Sequence, residues 1–365
     1  MWLKRHKEPY TCGQDCTGYF LTTPKKRKMG YFLAGDLGGT KALLALYATT
    51  GQGYALVREQ RFACGGYGDF AGIIAEFLRS SEGHPQIAAF GVAGPVAGGK
   101  ARITNLGWLI DQEALREQFQ LAGVILLNDL VAAAQAVSSL HPHDLLVVNA
   151  GTPVPHGSMA VLAPGTGLGE AYLCWNGTDY TACSSEGGHA DFAPASELEQ
   201  ALLSFLQAKH GHVSYELVCS GKGITNIYRY LTEGAGMKAP AELEEELAAA
   251  CDLTPVLLGQ ALKKEGEVAR LTLEIFFAVL AAEAGNMALK FLSTGGLYLG
   301  GGMLPRLLPV FDQKKFMARF LSKGRMAGIM ADIPVRIITT DRAGLDGAAL
   351  TAFRAMQGCS SQGYL

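Results

Sequence analysis

Short apolar runs joined by glycine-rich turns dominate the chain from residue 31 onward. Residues 31–35 (YFLAG) and 42–47 (ALLALY) read as strands, and the Gly38-Gly39-Thr40 turn between them predicts an antiparallel hairpin. Residues 87–92 and 124–127 are two more compact apolar runs, and the Ala-rich stretch 130–137 after the second has the spacing of a helix. A breaker, His141-Pro142-His143, precedes a new set of strands at 145–148, 159–163 and 168–174, the last two flanking a second glycine turn at 164–169. Helical spacing then prevails over 196–209, 222–231, 241–251 and a long 267–292. A strand at 297–299 runs into Gly300-Gly301-Gly302, a late strand follows at 335–338, and a helix over 345–356 closes the pattern. A strand–glycine turn–strand unit therefore occurs twice, which predicts two related α/β lobes with a ligand cleft between them.

Composition sharpens this picture. The 365 residues exceed what one hydrophobic core usually serves, so two domains are expected. Apolar residues make up 49% and charged ones 18%, which excludes a disordered chain. Glycine is in excess at 46 residues without a Gly-X-Y period, which excludes collagen and points to tight turns and close backbone approaches. The net charge of −2 conceals a basic N-terminus: residues 1–28 sum to +5, so the rest carries −7. An acidic body argues against a nucleic-acid groove, and the Lys25-Lys26-Arg27-Lys28 cluster reads as a solvated tail. Residues 1–29 are expected to be a basic, disordered extension without the apolar region of a signal peptide, and Met29 is a candidate start. The eight cysteines form no framework and complete no zinc site, so they read as reduced thiols of a cytoplasmic protein. The apolar stretch 275–282 is too short to span a membrane.

Four segments carry chemistry. The run Gly35-Asp36-Leu37-Gly38-Gly39-Thr40-Lys41 is a candidate phosphate cradle: glycines admit backbone N–H groups close to phosphate, Thr40 adds a donor, and Asp36 suits Mg²⁺ held through water. An ordinary hairpin turn is the plainer reading, but Gly165-Thr166-Gly167-Leu168-Gly169 repeats the same chemistry in the second half. By contrast, the 94–100 segment has Walker A spacing with Ala101 in place of the hydroxyl, and it leads into a strand, so it is rejected. Asn128-Asp129 ends a buried strand, where α/β sheets expose catalytic groups; on this dipeptide alone, a helix cap is the stronger reading. Glu186-Gly187-Gly188-His189 sets a carboxylate and an imidazole on a low backbone, an arrangement suited to sugar hydroxyls. His210 and His212 read as surface residues preceding Glu216.

In order and spacing these segments resemble the bacterial-type glucokinase family of the sugar kinase/heat-shock/actin superfamily, outside its zinc-binding group. The matching stretches are 35–41, 93–96 with Thr104-Asn105-Leu106-Gly107-Trp108, 127–130, 164–169, EGGHADFAP at 186–194, GHVSYE at 211–216, 220–223, GGGMLPR at 300–306 and 344–349. Lys41, Leu217, Lys222 and Asp346 depart from the family pattern. The resemblance implies a two-lobed actin-like ATPase (ribonuclease H-like) α/β fold, with a small domain of 30–139 plus 342–365 and a large domain of 140–341. It implies phosphoryl transfer from ATP, with Mg²⁺, to the 6-hydroxyl of glucose. Asp129 would be the general base, and Asn105, Asn128, Glu186, His189 and Glu216 would bind the sugar. The turns at Gly35–Lys41 and at Gly165, Thr166 and Gly167 would hold phosphates, with Gly300, Gly301 and Gly302 beside the nucleotide. A homodimer is also implied, with no nucleic-acid or membrane partner. A sugar-sensing regulator is the competing class, disfavoured because residues 1–28 are too short for a DNA-reading domain. A hexokinase of broader sugar choice, or one using ADP or polyphosphate, is the alternative among enzymes.

Overall fold

The computed structural model describes residues 30–51, 53–263 and 266–361. The basic cluster, Cys12, Cys16 and the expected extension over 1–29 lie outside the described residues, as does the Cys359 side chain.

The first half builds a mixed sheet from β1 (Tyr31–Leu37), β2 (Lys41–Thr49), β3 (Tyr54–Ala63) and β4 (Pro85–Val92). A small sheet of β5 (Val96–Ala97), β6 (Lys100–Ile103) and β7 (Trp108–Asp111) interrupts the chain before β8 (Gly123–Asn128) completes the first sheet. Its order is β3-β2-β1-β4-β8, with β1 antiparallel to β2, as the tight Gly38-Gly39 turn requires, and parallel to β4. The second half supplies β9 (Leu145–Asn149), β10 (Met159–Pro164), β11 (Leu168–Trp175), β12 (Tyr180–Ser185), β13 (Gly296–Leu299) and β14 (Val335–Ile338). Their order is β12-β11-β10-β13-β14-β9. The first sheet and the first five strands of the second thus both run antiparallel, antiparallel, parallel, parallel, with the two glycine turns in the same place in each and an antiparallel β9 added at the edge of the second. The repeated unit in the sequence is a repeated topology.

Alternation along the strands decides which core each residue enters. In β1, Leu33 and Leu37 join Ile73, Ile74 and Phe77 of the Phe70–Arg79 helix on one face. Phe32 and Ala34 point to the other face, where Leu345, Ala348, Ala349 and Ala352 of the Ala343–Ser361 helix cover them. Each large side chain buried this way contributes about 1.5–3 kcal/mol. The Glu267–Lys290 helix is buried over most of its surface, with residues such as Phe276, Leu280 and Ala284 fully enclosed, so it is the axis of the largest core. Among the described residues no helix is long and apolar enough to cross a membrane.

One short helix ties the two sheets together. Asp129–Ala136 places Ala134 and, just beyond it, Val137 against Met159, Val161 and Leu173 of the second sheet. Its opposite side meets the Ala343–Ser361 helix so closely that a methyl added at Gly347 would lie 1.6 Å from the Ala132 carbonyl oxygen. Whatever stands at the head of this helix therefore lies where the two halves of the molecule meet.

Candidate active site

Asp129 is the first residue of that bridging helix, and Asn128 is its cap. The Asn128 Oδ1 accepts from the amides of Leu130 at 3.0 Å and Val131 at 3.4 Å, while its Nδ2 donates to the Gly94 carbonyl at 3.0 Å. The capping role read from the dipeptide is correct for Asn128, and the neighbouring Asp129 is left exposed. The Asp129 carboxyl is open to solvent on one side but crowded by protein on the others. That crowding pushes its pKa above the usual carboxylate range, opposed by the Leu130 amide, which donates to it at 2.9 Å.

Asp36 comes from the end of β1 to the same floor. Gly91 lies between the two aspartates: a methyl there would stand 3.7 Å from Asp36 Oδ1 and 3.8 Å from the Asp129 Cα. Burial, and next the negative charge of Asp129, push the Asp36 carboxyl up to about 6. Arg61 opposes this shift and Asp341 adds to it. Those two form an exposed 2.8 Å ion pair that sequence reasoning missed, because one comes from a polar edge strand and the other from a linker. No group of three His, Cys, Asp or Glu able to ligate a metal occurs among the described residues. A half-buried carboxyl beside a second, more exposed one, with Arg61 the cation that offsets Asp36, would suit Mg²⁺ completed by phosphate and water.

Asn105 reaches the first glycine turn, donating from Nδ2 to the Gly39 carbonyl at 2.9 Å. Within that turn the Gly38 amide donates to the Lys41 carbonyl at 2.9 Å, and Thr40 and Lys41 are exposed. The second turn gathers most of the remaining candidates. Glu216 Oε2 accepts from the Leu168 amide at 3.0 Å, and a methyl at Gly167 would lie 2.4 Å from that oxygen. A methyl at Gly188 would be 2.2 Å from the Leu168 carbonyl, and one at Gly169 would be 2.7 Å from Leu130, the neighbour of Asp129. The Gly165 carbonyl accepts from the Gly221 amide at 2.8 Å. Gly301, at φ +87°, backs the Pro164 carbonyl where any side chain would collide, which brings Gly300–Gly302 to the same turn.

The Glu186 and His189 side chains are exposed and stand 4.0 Å apart across a single 3₁₀ turn. Main-chain bonds tie this arm to the Glu216 arm: Phe192 N to Val213 O at 2.9 Å and Tyr215 N to Ala190 O at 3.0 Å. His212, read as a surface residue, is exposed and pairs with Asp191 at 2.8 Å across this join. The structure thus brings the catalytic and sugar candidates around two glycine turns, although they lie far apart in sequence.

Comparison with known proteins places the chain. The glucokinase family profile matches residues 33–355. The chain belongs to the glucokinase family. A glucokinase of Nostoc sp. is 38% identical over 89% of this chain and 100% of its own length. The crystal structure of a glucokinase from an Antarctic psychrotroph superposes with a TM-score of 0.81 at 31% identity, covering 90% of this chain and all of that one. At 18% identity and a TM-score of 0.56, a ROK family glucokinase from Streptomyces griseus, solved with glucose and AMPPNP, covers 89% of this chain and all of its own and shares the fold. The two-lobed actin-like α/β fold expected from sequence is the one these glucokinases have.

Proposed function

We propose a division of labour for the glucokinase reaction, ATP-dependent phosphorylation of glucose, that this chain carries out. Asp129 accepts the proton of the glucose 6-hydroxyl as that oxygen bonds to the γ-phosphorus of ATP, while the bond from that phosphorus to the β–γ bridging oxygen breaks and ADP leaves. The transferred group demands positioning and charge neutralisation more than covalent chemistry. Backbone amides of the turns around Gly38–Gly39 and Gly165–Gly167 hold the phosphates, with Thr40 and Lys41 at the open side of the first turn and Gly300–Gly302 bordering the nucleotide. Asp36 would hold Mg²⁺, which supplies neutralisation of phosphate charge when bound. Asn105, Asn128, Glu186, His189 and Glu216 bind the sugar hydroxyls.

The observation that carries this reading is the convergence on Gly167–Gly169 of Glu216, the Gly188 turn and the head of the Asp129 helix. A sugar held by Glu186, His189 and Glu216 then lies beside a phosphate cradle and a carboxylate whose proton affinity is raised by crowding. Lobes of 30–139 plus 342–365 and of 140–341 close on the sugar, excluding water as a competing nucleophile. A homodimer working in the cytoplasm completes the proposal. A coupled assay with glucose, mannose and fructose against ATP, ADP and polyphosphate tests it. Turnover of glucose with ATP at the highest kcat/KM is expected; preference for another sugar or donor would contradict it.

A further inference from the structure

Behind the Glu186–His189 turn lies a carboxyl that the reaction does not use. Glu170 stands on β11 opposite Ser185 of β12 and is almost wholly buried. Gly187 rests directly on it: a methyl there would lie 1.9 Å from Glu170 Oε2 and 3.1 Å from Ser185 Oγ, to which the Gly187 amide donates at 3.0 Å. The other oxygen, Oε1, is buried and has no hydrogen-bond partner among the described residues. A neutral hydrophobic residue would fill this place at lower cost, since a buried polar atom without a partner destabilises the fold. The retained carboxyl therefore needs an explanation beyond packing.

We propose that Glu170 is a positioning residue for sugar binding, its side chain forming the platform that sets the height of the Gly187–His189 turn and so of Glu186 and His189. This rests on the sugar-binding role given above to that turn.

The groups facing Glu170 make the platform sensitive to charge. Glu283, fully buried on the Glu267–Lys290 helix, lies on its inner side and accepts from Asn286 Nδ2 at 2.8 Å and from Lys290 Nζ at 3.4 Å. The same Asn286 nitrogen donates to the Tyr215 hydroxyl at 2.9 Å, next to Glu216, and Lys323 donates to Asn286 Oδ1. Cys219 completes this wall; burial chiefly, then Glu283 and Glu170, push its thiol well up. The two lysines thus serve Glu283 and its asparagine, and Glu170 makes no ion pair among the described residues. Burial first, then the Glu283 charge, raise Glu170 to about 7, with Lys290 opposing. Ionisation above neutrality sets a second buried negative charge against Glu283, and the turn resting on Glu170 is the part free to yield.

Steady-state kinetics from pH 6 to 9 on wild type, Glu170→Gln and Glu170→Ala, with separate glucose and ATP titrations, test this. The glucose KM of wild type is expected to rise severalfold above pH 7 while the ATP KM stays flat. Glu170→Gln, of the same shape and always neutral, keeps the low glucose KM and removes the rise. Glu170→Ala raises the glucose KM about tenfold at every pH with kcat little changed. The Gln variant and wild type differ at this one side chain alone, so the difference between their pH profiles isolates Glu170. A Gln variant with the wild-type pH profile, or an Ala variant with unaltered glucose KM, overturns the proposal; if alanine does not fold, the Gln profile decides. His189→Ala serves as control. An unchanged glucose KM there overturns the sugar-binding reading itself, whereas a raised one alongside silent Glu170 variants overturns the platform alone.

Discussion

Asn128 and Asp129 are adjacent, yet their side chains do different work. Asn128 spends its oxygen on the helix amides and its nitrogen on Gly94, so its first contribution is to aim the helix. Asn128→Ala should lower stability by about 1 kcal/mol through the lost cap, measured by urea unfolding, besides weakening glucose binding. Asp129 was marked as a candidate by its place at a strand end and Asp36 by its glycine-rich turn, both local motifs, although alone the first read more readily as a helix cap and the second as a plain hairpin turn. Glu170 was not: Gly169-Glu170-Ala171 reads as ordinary strand sequence, and nothing local reveals that a turn 17 residues on will close over its carboxylate. The linkage is also a stability statement. Glu170 binds its proton more tightly in the folded state, with a pKa of about 7 against the usual 4.5, so its contribution is intact below pH 4.5 and lost as pH rises through 7. The loss approaches roughly 3 kcal/mol. Unfolding free energies at pH 5 and pH 8 should diverge by up to this amount in wild type relative to Glu170→Gln.

Among elements, the apolar strands were readable, the edge strands β8 and β9 included, and the polar edge strands were not. β1, β4 and β10 are apolar on both faces and declare themselves, while β3 (YALVREQRFA) and β12 (YTACSS) are polar edge strands without clean alternation. Polar edges suit strands that must not pair with another chain, which is also why they escape a hydrophobic pattern. The Phe70–Arg79 helix had a readable stripe at Phe70, Ile73, Ile74 and Phe77 but was passed over. The Asp129–Ala136 helix was foreseen; its crossing with the closing helix was not, since no spacing announces that Gly347 must meet Ala132. Gly347→Ala should cost about 1–3 kcal/mol or more by overpacking that crossing. Thermal and urea unfolding check it; a variant as stable as wild type would mean that the two helices separate easily.

At the scale of the molecule, the duplicated strand–turn–strand unit already implied two lobes, and the chain builds two sheets whose order matches over five strands. What sequence could not reveal is how residues from Asp36 to Gly344 share one floor, where a methyl at Gly344 would stand 2.8 Å from the Asp36 carboxyl carbon. That floor exists only because one short helix packs against both halves. The glycine excess serves these meetings, at Gly91, Gly167, Gly187, Gly301 and Gly347 among others. The central claim is that Asp129, at the head of that helix, moves the proton. Asp129→Ala, compared with wild type by kcat in the coupled assay and by glucose affinity in calorimetry, tests it most directly. The account predicts a folded protein that still binds glucose and whose kcat falls by about 10²–10⁴. A folded variant that phosphorylates glucose near the wild-type rate would contradict it.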